Sequence, residues 1–255
     1  MKSNQWTREE LIIAFNLYCK IPFGRIHIRN PEIIELAKAF GRTPSSVSWK
    51  LANFARLDPA LQQRNIKGAA HGSKGEEEIW KEFHSNWDRL AFESERCLAE
   101  LLHKPVEKIA EIETDDLPKE GKERESVVMV RVNQQFFRKS VLAAHENKCC
   151  LTGLTVPELL VASHIVPWAV DESNRINPKN GLCLNALHDR AFDRGLMTVT
   201  PDFEVRFAKS LLKKSNEEPF TDFIGKYHSK KIKLPNRFQP EAQFLDYHNQ
   251  HIFVG

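Results

Sequence analysis

The sequence predicts an α+β chain, all-helical in its N-terminal part and mixed toward the C-terminus. Three observations predict it. Between Leu11 and Phe54, apolar residues recur at helical spacing in runs opened by capping residues. A second apolar stripe of helical period runs from Trp80 to Leu101. Beyond Leu159 the pattern changes to short β-branched runs separated by turn residues, which read as strands.

The first helix is expected behind Thr7 and Glu10, which stand at capping-box spacing ahead of Leu11, Phe15 and Tyr18. In "NPEIIELAKAFG", Asn30 caps, Pro31 opens the helix, Ile33, Ala37 and Phe40 face inward and Gly41 ends it. In "RTPSSVSWKLANFARLDP", Thr43 caps, Pro44 opens and Val47, Leu51 and Phe54 face inward. Two short helices joined through a Gly turn make a helix-turn-helix-like arrangement over residues 1–67. Its outer face would carry Ser45, Ser46, Trp49, Lys50 and Asn53, candidate DNA-contacting residues because small hydroxyls at a helix start approach phosphates and base edges closely. The plainer alternative is a helical packing module with a polar surface.

"KGAAHGSKGEEE" reads as a linker. It leads into a helical connector over 76–111, whose stripe of Trp80, Phe83, Trp87, Leu90, Cys97 and Leu101 is expected to pack as one long helix. A second joint, "IETDDLPKEGKERES", precedes a third segment over 127–255. There, "RVNQQFFRKSVLAAHENKCCLTGL" predicts a helix closed by a Cys-rich turn. "LLVASHIVPW" predicts a strand ended by Pro167. After the loop "DESNRINPKN", the stretch "GLCLNALHDRAFDRG" predicts an extended start and then a short helix, capped by Asn185 and stopped by Gly195. "LMTVTPDFEVRF" predicts two short strands about the Pro201-Asp202 turn.

Composition excludes some classes. With 41% hydrophobic and 28% charged residues and no apolar run long enough to cross a bilayer, a cytoplasmic protein without a membrane partner is expected. Five cysteines, an odd number, do not make a disulfide framework and fit a reducing compartment. Net charge of +3 says little about partners, but nine Lys or Arg against three Asp or Glu between Arg206 and Arg237 would suit a polyanion.

A histidine in an apolar, β-branched run such as "ASHIVPWAV" is ordinarily a core residue, but His164 does not stand alone. His164 in "SHIVPW", Asn180 in "NPKNGLCL" and His188 in "LHDRAFDRG" follow one another at intervals of sixteen and eight residues. Together they resemble the signature residues of the HNH endonuclease family, in its restriction-type branch, over about Arg131 to Phe207. The resemblance implies a C-terminal ββα-metal (HNH) nuclease domain and a metal-dependent cut in DNA, in restriction or anti-phage defence. His164 would be the general base, since a neutral imidazole accepts a proton well near neutral pH. Asn180 would hold the loop or the imidazole, and His188 would ligate a divalent ion, Mg²⁺ or Mn²⁺ first, with Zn²⁺ or Ni²⁺ as alternatives.

One departure matters. The commonest HNH pattern has an acid before the first histidine, and here that place is Ser163, a poor ligand for a hard dication. Asp193 is the nearest candidate oxygen, but at about 100° per residue it lies about 140° round a helix from His188, whereas Asp189 and Asp193 share a face. Asp193 would reach the ion if the helix unwinds at Gly195, or would pair with Arg190 or Arg194 instead. Arg138, Lys139 and the basic C-terminal stretch are expected to hold phosphates. Double-stranded DNA is the expected partner, and cutting both strands takes a homodimer or successive nicks. The competing readings are a DNA-binding regulator with an inactive HNH fold and an HNH nuclease acting on RNA. Cys149, Cys150 and Cys183 with His145 raise a structural zinc site, but "CCLTG" lacks paired C-x-x-C knuckles, so simple burial is expected.

Overall fold

Thr7 and Glu10 close a reciprocal capping box at the start of α1 (Arg8–Lys20) in the computed structural model, which describes residues 5–64, 72–213 and 217–255. Asn30 caps α2 (Pro31–Phe40) by accepting from the N–H groups of Glu32 and Ile33, and Gly41 ends it in the left-handed region at φ 64°. Thr43 caps α3 (Pro44–Leu57) and Asp58 caps the short α4 (Pro59–Gln63). Every residue expected to face inward on α1, α2 and α3 is buried, with Phe15 stacked on Phe54 at 4.9 Å between ring centroids.

The stripe expected as one helix is two, α5 (Lys74–Phe83) and α6 (Trp87–Leu102), because Asn86 leaves helical backbone at φ −132°, ψ 63°. They are no free connector: both pack on α1, and α5 also packs on α3. The expected linker lies partly in residues 65–71, outside the described residues. After α7 (Val106–Ile109) comes α8 (Lys122–Ala144), whose Phe136 is buried and stacks on Trp87 at 6.2 Å. The chain divides into two units, Met1–Ala143 and Ala144–Gly255. The division thus falls after α8 and not near Val127, with Phe136 of α8 stacked on Trp87 inside the first unit.

Packing of α5 on α3 corrects part of the expected DNA-contacting face. Lys50 and Asn53 are buried, and both bind the fully buried Glu76 carboxylate, Asn53 Nδ2 donating to Oε1 at 2.9 Å. Glu76 is also the third helical residue of the α5 capping box, accepting from the Ser73 N–H at 2.6 Å. One carboxylate therefore anchors two helices. Ser45 remains exposed, Ser46 is partly so, and the Trp49 indole is 61% exposed.

In the second unit, β1 (Leu160–His164) pairs antiparallel with β2 (Gly181–Asn185), His164 opposite Gly181. β1 ends earlier than Pro167 because the Asn180 side chain claims Val166: its Oδ1 accepts from the Val166 N–H at 2.8 Å and its Nδ2 donates to the Val166 carbonyl at 3.1 Å. α9 (Ala186–Asp193), capped by Asn185, packs on β1, β2 and the strand β3 (Met197–Val199), which pairs with β4 (Val205–Phe207). Gly195, at φ 67°, is required: a Cβ there would meet the Ile252 carbonyl oxygen at 2.1 Å. Short helices α10 (Lys209–Leu212) and α11 (Glu218–Phe223) precede α12 (Ala242–His251), which packs on β3. The architecture is α+β, and no described helix is long and apolar enough to cross a membrane.

Candidate functional site

The ββα arrangement opens a cleft of about 380 Å³ whose wall includes Ser163, His164, Trp168, Asp189, Asp193 and His248. His164 comes from the last residue of β1, and its Nε2 lies 2.7 Å from the Arg175 carbonyl oxygen. A carbonyl only accepts, so Nε2 carries the proton and the lone pair is on Nδ1. Burial depresses the pKa of His164, opposed by that hydrogen bond, so the imidazole is neutral at neutral pH. The Trp168 ring stands edge-on to it at 5.7 Å, and Arg175 donates from Nε to the Trp168 carbonyl at 2.7 Å.

Asn180 is fully buried and reaches the same loop, its Nδ2 also donating to the Asn174 carbonyl at 3.2 Å. It therefore holds the loop directly, and through the neighbouring Arg175 carbonyl it bears on the imidazole. Its role in the geometry is to fix backbone.

α9 then presents two carboxylates to the cleft. Asp189 and Asp193, four residues apart, share the face turned toward His164. The Asp189 pKa is raised by burial, against the opposing pull of the Ser163 hydroxyl and of Arg190. Ser163 is buried and faces that carboxylate, although its hydroxyl closes no hydrogen bond of ordinary geometry. Burial also raises the pKa of Asp193, the Asp189 charge adds to it, and Arg190 and Arg194 oppose it. Among the described residues neither arginine closes an ion pair with Asp193.

His188 is not in this cleft. Its ring is buried on another side of α9, edge-on to Tyr227 at 5.4 Å, with Nδ1 2.9 Å from the Asn185 side-chain oxygen and Nε2 turned toward Phe223. The reason is helix phase: one residue is about 100° of turn, so when Asp189 faces the cleft His188 faces the core. The four-residue spacing of the two aspartates was the signal of that phase in the sequence. The histidine intervals hold no such information.

The expected phosphate contacts are also redistributed. Arg138 and Lys139 lie on α8 in the first unit, where Lys139 is bound by Glu111 at 2.6 Å. Arg237 is fully buried, its guanidinium 5.6 Å from the Phe238 ring, whereas Lys209, Lys213, Lys226, Lys230, Lys231 and Lys233 are exposed. Lys214 lies outside the described residues. The five cysteines are free, with Cys149, Cys150 and Cys183 buried and the Cys150 thiol pushed up by burial.

Among the described residues no three His, Cys, Asp or Glu side chains form a ready-made metal cage. A hard dication such as Mg²⁺ asks for less, one or two carboxylates with water and substrate phosphate completing its shell, and Asp189 with Asp193 meets that demand. A larger cleft of about 810 Å³ lies in the N-terminal unit, but no histidine lines it, and two of its charged groups, Glu10 and Arg42, pair with each other at 2.8 Å.

Among curated proteins none matches the chain significantly. A family model of HNH endonucleases matches residues 149–200, which span β1, the loop held by Asn180, β2, α9 and β3. This part of the chain, with its facing imidazole and carboxylates, is similar to the HNH endonucleases that the model describes.

Proposed function

We propose that the chain is a metal-dependent endonuclease that hydrolyses phosphodiester bonds of double-stranded DNA. The observation that carries the reading is the cleft in which a neutral, tautomer-fixed imidazole faces two carboxylates that close no ion pair among the described residues. Hydrolysis needs a proton taken from water as its oxygen attacks phosphorus, and charge compensation as the bond to the departing oxygen breaks. His164 suits the proton removal, because the Arg175 carbonyl holds its Nε2–H and Nδ1 carries the lone pair that takes the proton. Asn180 is a positioning residue, fixing the 174–175 backbone against which the imidazole rests.

Asp189 and Asp193 would hold the divalent ion, and their hard oxygens favour Mg²⁺ or Mn²⁺ over Zn²⁺ or Ni²⁺. When bound, the ion supplies charge compensation at the phosphoryl oxygens. Asp189 thus replaces both the ligand expected at His188 and the acid that Ser163 does not provide. His188 packs α9 against Tyr227.

What supports DNA as the polymer is the α2–Gly41–α3 pair, whose open face keeps Ser45, Ser46 and Trp49. Restriction or anti-phage defence is the role the family resemblance suggests. One cleft cuts one strand, so a double-strand break takes a homodimer or successive nicks. The test is incubation of supercoiled plasmid, and of structured RNA, with Mg²⁺, Mn²⁺ or EDTA. Plasmid nicking that needs the metal and falls about 10²–10⁴-fold in His164→Ala is expected. Nicking that survives both EDTA and the substitution overturns the reading.

A further inference from the structure

The two carboxylates account for one charged row of α9, and a second row remains. Arg190 and Arg194 follow directly on Asp189 and Asp193, so they form a parallel row turned about 100° around the helix axis. Both are exposed. A guanidinium so near a carboxylate ordinarily pairs with it, yet among the described residues neither Arg190 nor Arg194 closes an ion pair or a side-chain hydrogen bond. The other arginines of the second unit are committed. Arg175 binds the Trp168 carbonyl and Glu172, Arg206 reaches Glu204 at 3.6 Å, and Arg237 is buried over Phe238.

Spacing shows what such a row fits. Four residues advance an α-helix by about 6 Å, and a nucleic-acid strand rises about 3.4 Å per nucleotide. Two guanidinia at that separation, each on a long side chain, reach phosphates one to two nucleotides apart on one strand. Arginine is the suited residue, since its planar fork binds phosphate through two parallel hydrogen bonds.

We propose that Arg190 and Arg194 form a phosphate clamp for the strand being cut, holding the phosphates next to the scissile one while Asp189 and Asp193 face the scissile phosphate itself. The ligand class is the sugar–phosphate backbone, gripped without regard to base identity. The proposal rests on the endonuclease reading. It also gives the unpaired state of the arginines a purpose, because arginines locked to Asp193 would neutralise the cation-holding pair and leave the backbone unheld.

The test uses the full chain and two readouts. Duplex binding in EDTA, where no cutting occurs, is measured across salt for wild type, Arg190→Ala/Arg194→Ala and Arg190→Lys/Arg194→Lys. Loss of two phosphate contacts is expected to flatten the slope of log K against log salt by about 1.8, with the Lys variant close to wild type in slope. Plasmid nicking with Mn²⁺ is expected to show KM raised roughly tenfold or more in the Ala variant, with a smaller change in kcat, and only partial recovery in the Lys variant. Melting temperatures of Arg190→Gln/Arg194→Gln separate these effects from misfolding. An unchanged salt slope, or a kcat collapse at unchanged KM, overturns the clamp. Failure of wild type to nick anything overturns the endonuclease reading instead, and the salt slopes still decide whether the two arginines grip the backbone.

Discussion

Glu76 in the N-terminal unit and the Asp189–Asp193 pair in the C-terminal unit are all carboxylates drawn at least partly out of water, yet their pKa values move in opposite directions. Burial alone would raise Glu76, but hydrogen bonds from Lys50, Ser73 and Asn53 pull it down to about 2. Asp189 and Asp193 are raised by burial, and Asp193 further by its neighbour, with the adjacent arginines only partly opposing. The difference separates two uses of negative charge. A carboxylate satisfied from within the chain holds helices together, and a pair with less compensation is, on the proposed reading, the one that would take a cation from outside.

Neutralising each in turn is the strongest way to break that contrast. Asp189→Asn/Asp193→Asn is expected to lower nicking roughly 10³- to 10⁴-fold, the several kcal/mol that metal charge compensation supplies, with the melting temperature unchanged or raised as the mutual repulsion disappears. A fall in melting temperature would place these aspartates with Glu76 as structural groups. Glu76→Ala leaves the Lys50 ammonium buried without a counter-charge and is expected to cost about 3–5 kcal/mol in denaturant unfolding. A cost below about 1 kcal/mol would show that the node does not hold α5 on α3.

The local grammar of the helices was legible in the sequence because it acts over three or four residues. Thr7 with Glu10, Asn30 with Pro31, and Gly41 each fix an end within one turn. Burial of Lys50 and Asn53 was not legible, since the group that buries them, Glu76, arrives from more than twenty residues away. In the site, the motif pointed to His164 and Asn180; the structure places His164 on the cleft wall and ties the Asn180 side chain to Val166 and Asn174. His188 was expected at the ion and lies instead beside Tyr227 and Asn185, a position that interval patterns, which carry no helix phase, do not show. Packing of α9 on β1, β2 and β3 sets that phase, and the i,i+4 pair of aspartates was its only trace in the sequence.

Acid sharpens the comparison with a smaller effect. Glu76 has a folded pKa of about 2 against an ordinary 4.5, so it binds more protons unfolded than folded. Its contribution is complete above about pH 4.5 and is lost as pH falls toward 2. The C-terminal unit buries neutral histidines, with burial lowering His145 to about 3 and His248 to about 4 from an ordinary 6.5. They too bind more protons when unfolded, so that unit loses stability from about pH 6.5 downward. Amide exchange between pH 7 and 3 is expected to show the C-terminal unit loosening first, and the reverse order would contradict these assignments.

The central claim is that the aspartates of α9, and not His188, hold the divalent ion opposite His164. Mn²⁺ binding in the absence of nucleic acid, followed by the loss of the free-ion paramagnetic resonance signal, tests it most directly. Wild type and His188→Gln are expected to bind alike, with binding lost in Asp189→Asn/Asp193→Asn. Binding that survives in the double Asn variant and disappears in His188→Gln would contradict it.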